Sequence, residues 1–436
     1  MRNRLLQWVL IALAVGGAGC RDLLDQPSDN PPRAGTRPGG DGDAAPLEVR
    51  IEAAMRRGAA DLVTRQGRDG GFRSAHYAAI KDGYSLSPLA LLALWAAPRD
   101  QAVTAALERG LGFVATLVTA DGALRTGLDG PTYPYYAIAG ALLALSAAGA
   151  GGERDQAVRQ ALIGMLRERQ LTEARGWTPA DASYGGWGYY PALPDRDAGG
   201  GQPDARLSAN LSATVFSIGA LRLAGVPATD PALRSARSFV ERCQNWSEAS
   251  EQAGRDPDFD DGGFFFSPVV PDSNKAGAGA GADGRTRYHS YGSMTADGLR
   301  ALLRLGLPSD HERVRAAAGW MLQHFSAEAN PGAVPPEAEL RRASSYYYYV
   351  WSAAHALRAM GATEVDTGAG RVHWARALAG ALLARQRPDG SWANTSTELR
   401  EDDPLLATPF AMAALGIARM VLTGEYRSHG RDAARP

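Results

Sequence analysis

Gln66-Gly67-Arg68-Asp69-Gly70-Gly71-Phe72 returns far along the chain as Gln386-Arg387-Pro388-Asp389-Gly390-Ser391-Trp392. Shorter relatives of the phrase lie between them: Gly185-Gly186-Trp187-Gly188-Tyr189 and Asp261-Gly262-Gly263-Phe264-Phe265. Each copy separates an amphipathic stretch from a much more apolar one. A unit of this kind cannot bury its own hydrophobic face, so its repetition sets the architecture of the whole chain. The chemistry of the phrase is that of a sharp reversal. The Gln closes a helix whose last carbonyls lack partners. The Asp accepts from backbone amides two residues on, the Gly pair supplies positive φ, and the aromatic anchors the turn between packed helices.

Reading outward from the copies, residues 47–423 divide into six units. The first helices fall near 47–66, 101–118, 155–170, 231–245, 310–326 and 371–387. These mix charge and apolar residues at helical spacing, as in Asp155-Gln156-Ala157-Val158-Arg159-Gln160-Ala161-Leu162. The second helices fall near 85–97, 135–148, 208–224, 290–305, 345–360 and 404–422. They are mostly apolar on every side, as in Leu89 to Trp95 and Ala139 to Leu145, and a helix that is hydrophobic all round is buried. The expected fold is therefore all-α, an (α/α)6 toroid of six helical hairpins with an inner and an outer ring. The fifth unit has no Asp-Gly-Gly-Phe, and its turn is placed near Asn330-Pro331-Gly332. No stretch alternates with period two, so essentially no sheet is expected.

With Tyr288-His289-Ser290-Tyr291-Gly292-Ser293-Met294-Thr295 added to these phrases, residues 47–423 resemble the terpenoid cyclase and protein prenyltransferase superfamily, squalene-cyclase-like proteins with the prenyltransferase/squalene-oxidase repeat. The resemblance implies an α/α toroid whose substrate sits at the N-terminal ends of the inner helices. In this chain those ends supply Asp82, Tyr84, Tyr135, Tyr136, Asn210, His289, Tyr291, Tyr346, Tyr347, Tyr349, Trp351, Asp402 and Asp403 as candidate cavity lining. The positive ends of the inner helix dipoles point the same way.

Three chemistries of such toroids can be sought in the letters. Acid-initiated cyclisation, in the resemblance, needs an Asp cluster opening an inner helix. Asp258-Phe259-Asp260-Asp261 has the spelling but precedes a Gly-Gly turn, and Ser208-Ala209-Asn210-Leu211 has no carboxylate. Zinc-dependent prenyl transfer, in the resemblance, needs Asp, Cys and His ligands. His289 matches the histidine, but no Asp-x-Cys exists and Cys243 stands at an outer helix end. Asp256, Asp258 and Asp260 alternate as weak metal candidates, with Ser267 where a calcium loop needs Glu. No metal and no cofactor are expected.

The chain of 436 residues is 45% hydrophobic and its net charge is −1. Acidic and basic residues are interspersed, which excludes the basic face of a nucleic-acid binder. Arg2 and Arg4 precede an apolar run from Leu5 to Val15, then Gly16-Gly17-Ala18-Gly19 and Cys20. This reads as a lipoprotein-type signal peptide over 1–20, with Cys20 as the lipid acceptor and a bacterial envelope location, facing the periplasm or exterior. Residues 21–46 read as a disordered Pro/Gly-rich tether, 272–287 as a flexible insertion, and 424–436 as a disordered tail. Cys243 has no disulfide partner in the mature chain other than Cys20.

The expected function is an envelope-anchored toroid, membrane-bound through its lipid, that holds a hydrophobic or glycan ligand in its central cavity without the catalytic residues of the family enzymes. The alternatives are a diverged terpene cyclase-like isomerase or transferase, and a carbohydrate-active (α/α)6 enzyme with paired carboxylates such as Asp82 and Asp403. A scaffold binding partners through its outer helices ranks behind both.

Overall fold

The structure, a computed structural model, describes residues 45–127, 130–149, 152–196, 208–247, 256, 258–336, 339–367 and 370–424. The expected signal peptide with Cys20, residues 21–44 of the tether and 425–436 of the tail lie outside the described residues.

Six long helices form the outer layer: α1 (Leu47–Arg65), α3 (Gln101–Ala115), α5 (Glu153–Glu168), α7 (Pro231–Arg242), α9 (Glu312–His324) and α12 (Trp374–Ala384). Six more alternate with them: α2 (Ser87–Ala96), α4 (Pro134–Ala148), α6 (Leu211–Leu223), α8 (Gly292–Arg304), α11 (Tyr346–Ala359) and α13 (Pro404–Leu422). A short α10 (Glu339–Ala343) precedes α11. The second set packs in sequence α2, α4, α6, α8, α11, α13, and α13 returns to pack on α2. The inner ring is therefore closed. α12 also packs on α1 outside it, so first and last units meet. The fold is the (α/α)6 toroid expected from the repeat.

The repeated phrase forms the joints. Gln66 Nε2 donates to Gly70 O at 3.0 Å and to Ala106 O, on the next outer helix, at 2.8 Å. Gln170 makes the same pair with Gly185 and Ala232, and Gln244 with Gly262 and Arg313. Gln386 donates to Gly390 O at 2.9 Å and to Ala54 O of α1 at 2.8 Å. That last bond crosses the seam of the ring. Asp69, Asp261 and Asp389 each accept from the amide two residues on. Gly70, Gly185, Gly262 and Gly390 all have φ between +80 and +92, the left-handed region that glycine enters freely.

The aromatic of each joint is buried between the rings: Phe72, Trp187, Phe264 and Trp392. Burial of each such side chain stabilises the fold by about 2 kcal/mol. Its backbone N–H donates to a hydroxyl near the start of an inner helix: Ser87, Thr214, Thr295 and Thr408, at 2.9 to 3.1 Å. The indoles of Trp187 and Trp392 also donate back to the outer helices, at Leu166 O and Leu382 O. Each joint thus ties three helices together. The second unit has a reduced copy, Asp121-Gly122-Ala123-Leu124, with Gly122 again at positive φ and Val118 bridged to Leu124.

Two antiparallel hairpins depart from the expected absence of sheet. Strand β1 (Ala278–Ala280) pairs with β2 (Thr286–Tyr288), and β3 (Glu364–Thr367) with β4 (Gly370–His373). The first occupies the segment read as a flexible insertion over 272–287. The second takes residues 371–373 from the sixth outer helix, which starts at Trp374 instead. Strands this short lack the alternation that would reveal them.

Candidate functional site

A cavity of about 800 Å³ opens at the N-terminal ends of the inner helices. Its wall is apolar: Leu89 and Leu92 from α2, Tyr136 and Leu143 from α4, Phe216 from α6, Met294 from α8, Tyr348 from α11, Leu406 and Phe410 from α13. Leu89 and Leu92 are only half-buried because they face this space. The aromatics form a continuous set. Tyr136 stacks on Tyr189 at 5.3 Å, Phe216 on Trp351 at 5.5 Å, and Trp351 lies 5.2 Å from Phe410. The rim is polar and charged, with Asp272, Lys275, Arg341, Glu398, Arg400 and Glu401. An apolar well under a charged rim suits an amphipathic molecule.

Of the residues nominated from sequence, Tyr136 and Asn210 line this cavity. Asn210 also caps α6 by accepting from Ala213 N at 2.9 Å. Trp351 stands behind the wall, between Phe216 and Phe410. Asp82 accepts from the amides of Tyr84 and Thr132. Tyr84 stacks on Phe113 and shares a hydrogen bond with Thr116. Tyr135 donates to Ala213 O and accepts from Ser217. His289 stacks on Phe259 at 4.6 Å, and Tyr291 is buried at the N-cap of α8. The hydroxyls of Tyr346, Tyr347 and Tyr349 donate to Ala327 O, Ala393 O and Ser326 O. Asp402 accepts from Tyr77, and Asp403 caps α13 through Leu405 N.

Among the described residues, no group of three or more His, Cys, Asp or Glu is placed to hold a metal ion. Asp256 accepts from Asp258 N and Ala282 N, and Asp260 from Ser247 N. These carboxylates tie down their own loop. Cys243 is a buried thiol, and burial pushes its pKa up, so it is inert as a nucleophile.

Sequence reasoning missed two polar features. The first lies behind the wall. Asp297 on α8 is fully buried and accepts from Tyr348, from Ser352 and from Arg300 at 3.2 Å. Tyr348 shares a further hydrogen bond with Ser212, so the knot reaches the cavity surface. Arg304, His355 and Arg358 are buried nearby, and burial with the three arginines keeps His355 neutral. Burial pushes the Asp297 carboxyl up in pKa, with Arg300 opposing. The three converging donors use it as an acceptor.

The second feature is Glu401, which accepts from the amides of Tyr347 at 3.0 Å and Tyr348 at 2.8 Å, closing the N-terminus of α11. Burial raises its pKa to about 7, with those amides, Asn394 and Lys275 opposing. The signal for Asp297 was a lone acid within a mostly apolar helix, and Glu401 stood beside the nominated Asp402 and Asp403 in a loop.

No family model matches the sequence, and the search of curated proteins found no match. Among solved structures, the apo type II terpene cyclase MstE from Scytonema is 16% identical, with a TM-score of 0.48 over 86% of this chain and 99% of that chain. A protein from Actinoplanes is 16% identical, with a TM-score of 0.46 over 85% and 99%. A glycosidase in complex with glucose is 14% identical, with a TM-score of 0.45 over 86% and 98%. The likeness is one of fold. A fold hosts many functions, so the site has to speak for the activity.

Proposed function

We propose that the protein holds an elongated apolar ligand with a polar end in its central cavity, and that holding, rather than turnover, is its task. The wall of Leu, Phe, Tyr and Met under a charged rim carries this reading and favours a hydrophobic ligand over a glycan. The carboxylates suited to sugar chemistry, Asp82 and Asp403, are engaged in capping turns and stand outside the lining. Delipidated full-length protein should take up one long-chain alcohol per chain by native mass spectrometry. Phe216→Arg, which sets a charge in the wall, should abolish uptake. Equal uptake by both proteins would end the proposal.

A second reading is an acid-initiated isomerase, favoured by the link from Asp297 through Tyr348 to the cavity. Asp297 stands one hydrogen bond away from the ligand space, which ranks this reading lower. Isomerisation of a polyprenyl substrate by the wild type and its loss in Asp297→Asn would reverse that order.

We also propose that Cys20 anchors the chain to a bacterial envelope membrane. The wild type should incorporate labelled palmitate and Cys20→Ala should not. Incorporation by both would remove the anchor.

A further inference from the structure

Lysine is scarce in this chain. Of 46 basic residues, only Lys81 and Lys275 are lysines, and the rest are arginine. Lys81 is exposed in a surface turn, whereas Lys275 lines the cavity. The difference is chemical, because a guanidinium keeps its proton in proteins and an amine can lose it. The basic group at this place is the one able to present a neutral nucleophile.

The loop that carries Lys275 is fixed from both sides. Asn274 accepts from Phe266 N at 3.1 Å and donates to Gly277 O at 2.6 Å and His289 O at 2.9 Å. Ala276 on the other side is fully buried. The amine stands 5.5 Å from the centre of the Phe266 ring and 5.6 Å from that of Tyr291. Among the described residues no hydrogen bond or ion pair holds it. Burial lowers its pKa to about 8. Glu401, Asp297 and Glu398 favour the cation and Arg341 opposes it. A lysine amine desolvated against aromatic rings has a more available lone pair and is a better nucleophile.

We propose that Lys275 is a carbonyl-capturing residue, which condenses through Nζ with an apolar aldehyde lodged against the Leu and Phe wall. The inference rests on the cavity-binding reading above and names the ligand's reactive end. The Nζ lone pair attacks the aldehyde carbon, and the carbonyl π pair moves to oxygen. That oxygen takes up the proton that nitrogen releases, giving a carbinolamine. A second proton transfer from nitrogen to the hydroxyl lets water leave as the C=N bond forms. Aldehyde and amine become imine and water, with no change of oxidation state. Lys275 shares the rim with Arg341 and Glu398, whose side chains are about half exposed, so the released water has an exit.

The test uses the full chain in detergent with n-dodecanal as probe and sodium cyanoborohydride to trap the imine, followed by peptide mapping. Lys275 should be alkylated about tenfold faster than Lys81, in keeping with its more available lone pair. Excess dodecanol, which fills the cavity but has no carbonyl, should suppress the labelling. Lys275→Arg should form no adduct at position 275, while Lys81 is labelled as in the wild type. Equal labelling of the two lysines, or labelling indifferent to dodecanol, overturns the proposal. Dodecanol binding with no adduct overturns it while leaving the cavity reading intact. Absence of both binding and adduct brings down the cavity reading as well.

Discussion

Glu401 couples stability to pH. Its pKa rises from an ordinary 4.5 to about 7 in the folded protein, so the native state binds the proton more tightly than the unfolded chain does. Stability from this group is full below about pH 4.5 and is lost as pH climbs through about 7, by roughly 3 kcal/mol in all. Gln resembles the protonated acid, so melting of the wild type against Glu401→Gln should show the two curves running together near pH 4.5 and separating as pH rises through about 7, with the wild type falling below the variant. Parallel curves would contradict the assignment. Thr408 offers a second residue-scale check. Thr408→Val leaves the buried Trp392 N–H unpaired and should cost about 1–3 kcal/mol in urea unfolding. The repeated hydroxyls were not legible as repeats, since Ser87, Thr214, Thr295 and Thr408 are ordinary letters in apolar runs. Lys275 and Glu401 were illegible for another reason. They enter the cavity from loops, whose path helical periodicity cannot give.

At the scale of elements, the joints were the readable part. Phrases with Asp-Gly in a tight turn announced themselves because their chemistry is local. Gln170 and Gln244 did not, because excursions of the chain separate them from Gly185 and Gly262 while the hydrogen bonds stay the same. Periodicity located the inner helices for the same local reason, and it misplaced the start of the outer helix α12, where a hairpin takes residues 371–373. The turn glycines carry a strict demand. A Cβ on Gly185 would overlap the Ser235 carbonyl oxygen on α7, and its φ is +85. Gly185→Ala should therefore destabilise by several kcal/mol, on the order of 3, or prevent folding. Gly164, on the open side of α5 with nothing near its Cβ position, gives the control. Gly164→Ala should be neutral or raise the melting temperature slightly. Equal losses at both sites would mean that the contact with α7 does not set the joint.

At the scale of the molecule, closure decides the energetics. Each inner helix has an inner neighbour on both sides, so removing one uncovers two faces. A chain ending at residue 403 lacks α13 and leaves α2 and α11 uncovered. It should bind the dye ANS and aggregate, instead of melting in one sharp transition. A cooperative melt of the shortened chain would argue for independent units, as in an open stack. The ring was legible in outline because six mostly apolar helices need partners on every side. The size of its cavity was not, since the volume left at the centre depends on how far aromatics such as Tyr136, Phe216 and Phe410 reach across it.

The bond from Gln386 to Ala54 has a topological corollary. A loop whose beginning and end are neighbours does not care, thermodynamically, where it is cut. Fusing the region after α13 to the region before α1 through a short linker, and opening the chain instead between α9 and α10, should return a circular permutant with the same tertiary circle and the same central well.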